Sequence, residues 1–350
     1  MSSRNGSESK GAVNKRRIYS LVFFLLGVAG ITVMLCTMDI SAVDWETAFR
    51  LMPVWLPVIL LLWAGIYAIH VLSWRIIMGE DCRGISFLRL YRITLAGFAL
   101  NRVTPLGMMG GEPYRIMALQ PDMGVEKATA HSITFTITQT FSHTLFWLTG
   151  SVIYFILYGF SASPLRSAFM ALLGALCLVA CITFLFSRQN HLVMRIFRFF
   201  GRIPGLRGVI ARFLEKNGDA LDGIDREMVA FRKRRKPFLL SFLLEYATWV
   251  LEVFEYYMIF HILGADMTCA KTLMAVTVSS VVGNLMFFIP MQVGSREGGL
   301  ALALRWCGVN ASVGVSAALF VRMREIVYIV LGVALLLLNE RGAGREKEQA

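Results

Sequence analysis

Several apolar runs in this sequence are long enough to cross a lipid bilayer. A membrane-spanning helix needs about 20 apolar residues, and the run 18–38 carries no charged side chain. Hydrophobic residues make up 56% of the chain and charged residues 17%, with a mean hydropathy of +0.61. In lipid every backbone polar group needs a partner within the protein, which favours helices. The sequence therefore predicts an all-α polytopic membrane protein.

The first apolar run is interpreted as a retained membrane helix. It follows the basic residues Lys15, Arg16 and Arg17, as a signal peptide would. However, its length exceeds that of a signal-peptide core, and no small-residue cleavage pattern follows it.

The charge distribution gives an orientation. The chain has a net charge of +12, and residues 188–237 hold thirteen Lys and Arg against five Asp and Glu. The segment 1–17 and the stretch 341–347 within the tail 339–350 are also basic. The positive-inside rule places all three on the cytoplasmic side, so both termini are expected there. The loop 188–237 is expected to contact anionic inner-leaflet lipids, and the distribution argues against nucleic acid as a partner.

This orientation fixes a topology for one membrane domain, 18–338. The predicted full spans are 18–38, 54–78, 129–158, 165–187, 238–263 and 311–338. Segment 93–128 must then begin and end inside, and segment 272–308 must begin and end outside. Two re-entrant hairpins entering from opposite faces satisfy this, as in an inverted repeat. Eight full spans are the alternative, because 272–290 is almost long enough to cross alone.

Both predicted hairpins contain the same broken motif. Each has an Asn, then a Pro, then a Glu seven residues after that Pro, with an Arg near the Glu. The matching residues are Asn101, Pro105, Glu112 and Arg115 in the first copy, and Asn284, Pro290, Arg296 and Glu297 in the second. Interrupted apolar segments at corresponding places in two halves point to the substrate site of a transporter.

Further ionisable and polar side chains lie inside predicted spans, where they are functional candidates by default. They are Glu245, Glu252 and Glu255 in one helix, Arg322, Arg324 and Glu325 in another, and His131, Thr134, Thr138, Ser142, Gln139 and His143 in a third. Two structural alternatives stay open. Arg322 and Glu325 could form a buried ion pair, and the Ser/Thr stripe could only bond neighbouring helices. His70 is expected to be a boundary or packing residue.

The arginines suggest a ligand. Arg115, Arg296 and Arg322 would offer bidentate binding to a phosphate, and an arginine-lined cavity among apolar helices suits the headgroup of a lipid. Glu112 and Glu297 could hold the arginines, bind a cationic headgroup or carry a coupling proton. Glu245, Glu252 and Glu325 could serve coupling or structural ion pairs. The six cysteines show no metal-binding spacing, and no cofactor or metal is expected.

These residues resemble a known family. The pattern of the two motifs, with Arg322 in the last helix, is similar to the lysylphosphatidylglycerol synthase transmembrane (flippase-like, UPF0104) family over about residues 18–338. The resemblance implies that Glu112, Arg115, Arg296, Glu297 and Arg322 are the family's polar positions. Members include the membrane half of the multiple peptide resistance factor, which is believed to flip aminoacylated phosphatidylglycerol. The soluble aminoacyl-transferase domain of full-length synthases is not found in this sequence, so lipid synthesis is not expected.

The sequence leaves three hypotheses for function. The first is a bacterial inner-membrane protein that translocates a polar-headed phospho- or glycolipid between leaflets. The second is a membrane-embedded transferase acting on a lipid-linked substrate. The third is an accessory subunit that docks on a lipid-modifying partner through the loop 188–237.

Overall fold

A computed structural model describes residues 45–103, 111–160, 163–186, 233–286, 292 and 294–348, with isolated residues between 208 and 231. This part of the chain is helical and contains no strand. We number its α-helices α1 Trp45–Met78, α2 Phe87–Val103, α3 Gly111–Tyr158, α4 Pro164–Phe186, α5 Arg235–Ile262, α6 Cys269–Leu285, α7 Ser295–Trp306 and α8 Ala311–Glu348. The predicted helix 18–38 and most of the loop 188–237 lie outside the described residues.

The all-α membrane fold is confirmed. Four helical segments among the described residues are long and apolar enough to cross a membrane: Met52–Cys82, Gly111–Tyr158, Pro164–Phe184 and Arg235–Ile262. They contain or closely match the predicted spans 54–78, 129–158, 165–187 and 238–263. Their outward faces expose large apolar side chains, such as Leu61 at 74% and Leu165 at 82%. In a bilayer these side chains contact lipid, so the exposure is favourable there.

Two helix boundaries differ from the prediction. Helix α1 begins at Trp45 rather than at 54, with Pro53 and Pro57 inside it. Helix α8 continues to Glu348, past the predicted end at 338. Hydropathy locates the apolar centre of a helix, whereas polar turns at its ends add residues that this signal does not detect.

The segment 93–128 forms most of a helical hairpin. Helix α2 ends at Val103 and α3 begins at Gly111, while Pro105 and the rest of 104–110 lie outside the described residues. Near the base of the hairpin Arg89 pairs with Asp122 at 2.7 Å. Near its tip the Asn101 amide oxygen accepts a hydrogen bond from the Gly111 backbone at 2.7 Å. The two limbs therefore run antiparallel.

The second limb of this hairpin continues directly into the next long helix. Gly124 has φ 81° and ψ 164°, values that suit glycine and interrupt α3. Residues 111–123 are the returning limb, and 125–158 form the long helix that follows. The predicted hairpin 93–128 and the predicted span 129–158 are thus continuous, and only the non-helical residue Gly124 separates their helices.

The segment 272–308 also forms a hairpin. Helix α6 ends at Leu285, and the chain returns as α7 from Ser295. The Ser279 hydroxyl donates a hydrogen bond to the Arg296 carbonyl at 2.8 Å. A side chain on Gly299 would lie 2.9 Å from the Ser279 Cα, and one on Gly283 would lie 2.8 Å from the Arg296 side chain. These contacts place the two limbs side by side and antiparallel.

Corresponding helices of the two halves pack in an inverted relationship. Helix α1 corresponds to α5, and the two run antiparallel, with Trp63 bonded to Glu255 and His70 bonded to Glu245. Helix α2 packs antiparallel to α8, where Arg102 meets Glu325.

The long helix of the first half and helix α6 of the second half show the same inverted relationship. The 125–158 part of α3 packs on α6 of the second half, where His143 meets Ser280 at 2.8 Å. Because α2 corresponds to α6 and the 125–158 part of α3 corresponds to α8, this contact is equivalent to the packing of α2 on α8. The first hairpin thus packs on α8 of the second half, and helix α6 of the second hairpin packs on the long helix of the first half.

Candidate functional site

A cavity of ≈ 210 Å³ is lined by residues of both hairpins. The first hairpin contributes Asn101, Arg102 and Glu112 to its wall, and the second contributes Asn284, Gln292 and Arg296. Helices α1, α3, α5 and α8 supply the rest of the wall, including His70, Gln139, Glu245, Glu252, Arg324 and Glu325. The structure therefore brings together most of the candidate residues, which are up to 224 positions apart in sequence between Asn101 and Glu325.

The tip of the first hairpin is held by Asn101. Its amide nitrogen donates to Glu112 at 3.2 Å, while its amide oxygen accepts from the Gly111 backbone. A side chain at position 111 would collide with the Gly97 carbonyl and with Asn101. Glycine at 111 thus permits the limbs to approach closely, and Glu112 enters the first turn of α3, where a carboxylate is favoured.

Arg115 is buried behind this tip rather than on the cavity wall. Its side chain is fully buried, and its guanidinium lies over the rings of Phe98 at 4.9 Å and Phe135 at 5.2 Å. The nearest carboxylate oxygen belongs to Glu112, at 3.7 Å. Arg115 therefore balances the charge of Glu112 and packs against aromatic rings. The structure does not place it where the predicted phosphate ligand would be.

Arg296 occupies the cavity wall, as the sequence predicted for the second tip. Its guanidinium lies 3.4 Å from Glu252 and 3.3 Å from Glu325. Both distances exceed the ~2.7–2.9 Å of a tight charge-assisted hydrogen bond. Arg296 is thus electrically balanced, but neither carboxylate holds it closely.

Arg322 lies beside the second tip and is held tightly. It contacts Glu297 at 2.7 Å and Glu325 at 2.8 Å, and it donates to the Gln292 carbonyl at 3.3 Å. The Gln292 backbone has φ 54°, an uncommon value for a residue other than glycine. Arg322 therefore fixes the strained tip to α8, and the predicted Arg322–Glu325 ion pair is present.

Arg324 and Glu255 form a second, bidentate ion pair. The guanidinium contacts both oxygens of Glu255, at 3.1 and 3.2 Å. Trp63 donates its indole N–H to Glu255 at 2.8 Å, and its ring lies 3.7 Å from the Arg324 guanidinium. These three side chains join α1, α5 and α8 through one bidentate, aromatic-covered ion pair.

Arg102 is a site residue that the sequence analysis missed. It lines the cavity, its side chain is 33% exposed, and it lies 3.5 Å from Glu325. It follows the motif residue Asn101 directly. A cation next to that asparagine, near the end of a buried helix, is the signal that could have identified it.

The arginines around the cavity are matched by carboxylates. Four arginines pair with four glutamates: Arg102, Arg296, Arg322 and Arg324 with Glu252, Glu255, Glu297 and Glu325. The predicted arginine-lined cavity is therefore a cavity of paired charges, since burying unpaired arginines in this apolar bundle would be costly.

Glu245 differs from the other acids of α5. Its partner is His70, whose Nδ1 lies 2.8 Å from the carboxylate, and Gln139 approaches the same nitrogen at 3.2 Å. The interpretation of His70 as a boundary or packing residue is wrong, because His70 contacts a buried acid and lines the cavity. Periodicity did not reveal this contact, since its partner lies 175 residues away.

The predicted polar stripe of α3 lies largely on a different face from the cavity. Ser142 donates to the Phe242 carbonyl at 3.3 Å, Thr138 bonds within its own helix at 2.9 Å, and His131 contacts Asp81 at 3.0 Å. At least part of the stripe therefore bonds neighbouring helices, which was the structural alternative to a functional role. The cavity is lined instead by Thr136, Gln139, Thr140 and His143.

No group of three His, Cys, Asp or Glu side chains among the described residues is arranged to hold a metal ion.

Asn284, the counterpart of Asn101, donates to the Ser280 carbonyl of its own helix at 2.8 Å. It lines the cavity, but its amide nitrogen does not bridge to Glu297. The two tips are therefore related in topology and unequal in chemistry.

Comparison with known proteins identifies the family. Residues 18–332 match the family described as the lysylphosphatidylglycerol synthase TM region. The chain belongs to this family. It is also similar to a "UPF0104 membrane protein" of Methanothermobacter thermautotrophicus, with 25% identity over 327 residues, covering 89% of this chain and 93% of the relative. No solved structure matches the chain. The family resemblance drawn from the two motifs is thus confirmed.

Proposed function

We propose that this protein translocates a lipid with a phosphate-bearing headgroup between the leaflets of a membrane. The observation that carries the proposal is that both hairpins line one cavity whose arginines and glutamates lie among apolar helices. Backbone interruptions at membrane depth are tolerated where they line a polar cavity, and paired hairpins of this kind surround substrate sites in transporters.

Part of the cavity wall is exposed at the side of the bundle. Thr140 lines it and is exposed, and this residue lies about halfway along the 125–158 part of α3. An opening near the middle of a membrane helix faces the hydrocarbon region. A lipid could then place its headgroup in the cavity while its acyl chains stay in the bilayer, so the headgroup avoids the apolar environment.

Arg102 and Arg296 are the two arginines suited to hold the phosphate. Both line the cavity, and both contact Glu325 at 3.3 to 3.5 Å. Arg322, in contrast, has tight carboxylate partners, and Arg324 has a bidentate one. A phosphate could replace Glu325 as the partner of Arg102 and Arg296 with little movement, because guanidinium groups bind phosphate oxygens in the same way as carboxylates. Arg322 and Arg324 would keep the helices in position.

Reconstitution in liposomes tests the proposal. Purified protein is incorporated with trace amounts of headgroup-labelled phosphatidylglycerol, phosphatidylethanolamine or a glycolipid, and a membrane-impermeant reagent reports which leaflet holds the label. We expect protein-dependent translocation of at least one phosphate-bearing lipid, lost in Arg296→Gln and retained in Arg83→Gln. Arg83 is a matched control, since its side chain is 79% exposed and pairs with Glu80 at the surface. Absence of translocation for every lipid would reject the proposal.

A further inference from the structure

The pair His70–Glu245 stands apart from the other buried charges. The four glutamates of the arginine network each have an arginine partner, and Glu112 has Arg115. Among the described residues, Glu245 makes no ion pair with an arginine or a lysine, and its recorded partner is His70. Glu245 is therefore a buried carboxylate whose charge a proton would balance.

The contacts at His70 Nδ1 permit two positions for that proton. Glu245 and Gln139 both approach this nitrogen, at 2.8 and 3.2 Å. When Nδ1 carries hydrogen it donates to the Glu245 carboxylate. When Nδ1 carries none it accepts, either from a protonated Glu245 or from the Gln139 amide. One atom thus alternates between donor and acceptor within the same geometry, as a proton-exchange site requires.

The Glu245 carboxylate also has a free acceptor position. Its side chain is 1% exposed, yet its second oxygen has no hydrogen-bond partner among the described residues. Glu245, His70 and Gln139 all line the cavity. A water molecule or a substrate group in the cavity could therefore deliver a proton to this oxygen.

The groups facing the pair do not supply the missing charge. Arg115, from the 111–123 limb, acts electrostatically on Glu245 as well as on Glu112, but its ion pair is with Glu112. From α1, the Tyr67 ring lies 6.4 Å from the His70 ring. On α5 the next acid, Glu252, is paired with Arg296. The site is thus one positive charge short when His70 is neutral and Glu245 is ionised.

We infer that His70 and Glu245 form a proton-binding site that couples lipid translocation to proton movement. This inference rests on the proposed function. A proton enters from the cavity, forms an N–H bond on His70 or an O–H bond on Glu245, and leaves to water on the opposite side after the cavity has changed access. The phosphate site at Arg102 and Arg296 lines the same cavity, so occupation of one site alters the electrostatic field at the other.

The equilibrium distribution of the lipid gives a quantitative test. Proteoliposomes are prepared with one unit of pH difference across the membrane and with the membrane potential held at zero by an ionophore. With one proton moved per lipid, we expect the labelled lipid to redistribute until its concentrations in the two leaflets differ by ~tenfold. This equals the ratio of the proton concentrations on the two sides of the membrane. Glu245→Gln and His70→Gln should translocate lipid to an even distribution only. Glu80→Gln, at an exposed side chain, should behave as the wild type.

The outcomes separate the two proposals. Lipid translocation by the wild type that reaches an even distribution despite the pH difference would overturn the proton site and leave the proposed function standing. If the wild type translocates no lipid, ¹⁵N NMR of His70 in nanodiscs decides the inference alone. The ¹⁵N chemical shifts of the ring report where the proton lies, and we expect them to differ between the wild type and Glu245→Gln. Identical His70 ring shifts in the wild type and in Glu245→Gln would overturn it.

Discussion

Arg102 and Arg296, from different halves of the chain, lie against the same oxygen of Glu325, at 3.5 and 3.3 Å. Each arginine is close to the tip of its own hairpin, and Glu325 is on the helix that closes the second half. The two hairpins are thus connected through one carboxylate at the cavity. A ligand that replaces Glu325 would contact arginines of both hairpins, which would link binding to the conformational change that the proposed transport requires.

We expect Arg296→Gln to weaken binding of a phosphate-bearing lipid by ~10- to 100-fold. A hydrogen bond to a charged group contributes about 1.5–3 kcal/mol, and Gln keeps polarity without the charge. Arg102→Gln should have an effect of the same order. Arg296→Lys should restore part of the affinity, because lysine keeps the charge but not the fork of N–H donors. Lipid affinity can be measured by native mass spectrometry of the purified protein. Equal affinity in the wild type and in Arg296→Gln would contradict this assignment.

Arg322→Gln should reduce stability more than it reduces lipid affinity. The change leaves Glu297 and Glu325 without their tightest partner, and breaking one side of a buried ion pair costs about 3–5 kcal/mol. Thermal unfolding in detergent measures this loss. The second variant, Glu297→Gln, should recover part of the stability when combined with Arg322→Gln, since the unpaired carboxylate is then removed. Additive losses in the double variant would argue against the pair as the cause.

Two adjacent glycines give a matched test of the second hairpin. A methyl group at position 299 would lie 2.9 Å from the Ser279 Cα, whereas a methyl group at position 298 meets nothing within 4 Å. Gly299→Ala should therefore push α6 and α7 apart and cost about 1–3 kcal/mol. Gly298→Ala should be neutral or stabilising by up to about 1 kcal/mol, because alanine favours the helix. Equal melting temperatures for the two variants would contradict the packing of these limbs.

The second hairpin also makes a topological prediction. Its limbs are antiparallel, so the loops that contain Asp266 and Asn310 lie at the same end of it. Reporters of membrane sidedness inserted at these two loops should both give the external signal expected from the positive-inside orientation. Opposite signals would show that 272–308 crosses the membrane once and would reject the hairpin.

The sequence predicted the architecture well, because its signals are local. Apolar length located the spans, and the paired breaks at Pro105 and Pro290 marked both hairpins, although these two prolines lie outside the described residues. The family was confirmed by the match over residues 18–332. Helix ends were less accurate at α1 and α8, where polar or charged turns extend the helices beyond the apolar runs.

The site was predicted less completely, because its contacts join distant parts of the chain. The sequence predicted the same phosphate-binding role for Arg115 and Arg296. In the structure Arg115 packs against aromatic rings, whereas Arg296 lines the cavity. Arg102 and His70 were missed as site residues, since their partners Glu325 and Glu245 belong to other helices. Because an unpaired buried charge is costly, each cavity arginine is expected to have a carboxylate partner. Which glutamate pairs with which arginine depends on how the helices pack, and only the structure gives this.

The most direct test of the account is the distance between the lipid phosphorus and the arginines in the membrane. Solid-state NMR with ³¹P of a bound phospholipid and ¹⁵N-labelled arginine in proteoliposomes measures it. We predict ³¹P–¹⁵N contacts from both Arg102 and Arg296, each lost when that residue is changed to Gln and both kept in Arg83→Gln. Phosphorus contacts confined to arginines outside the cavity, unchanged in Arg102→Gln and Arg296→Gln, would contradict the central claim.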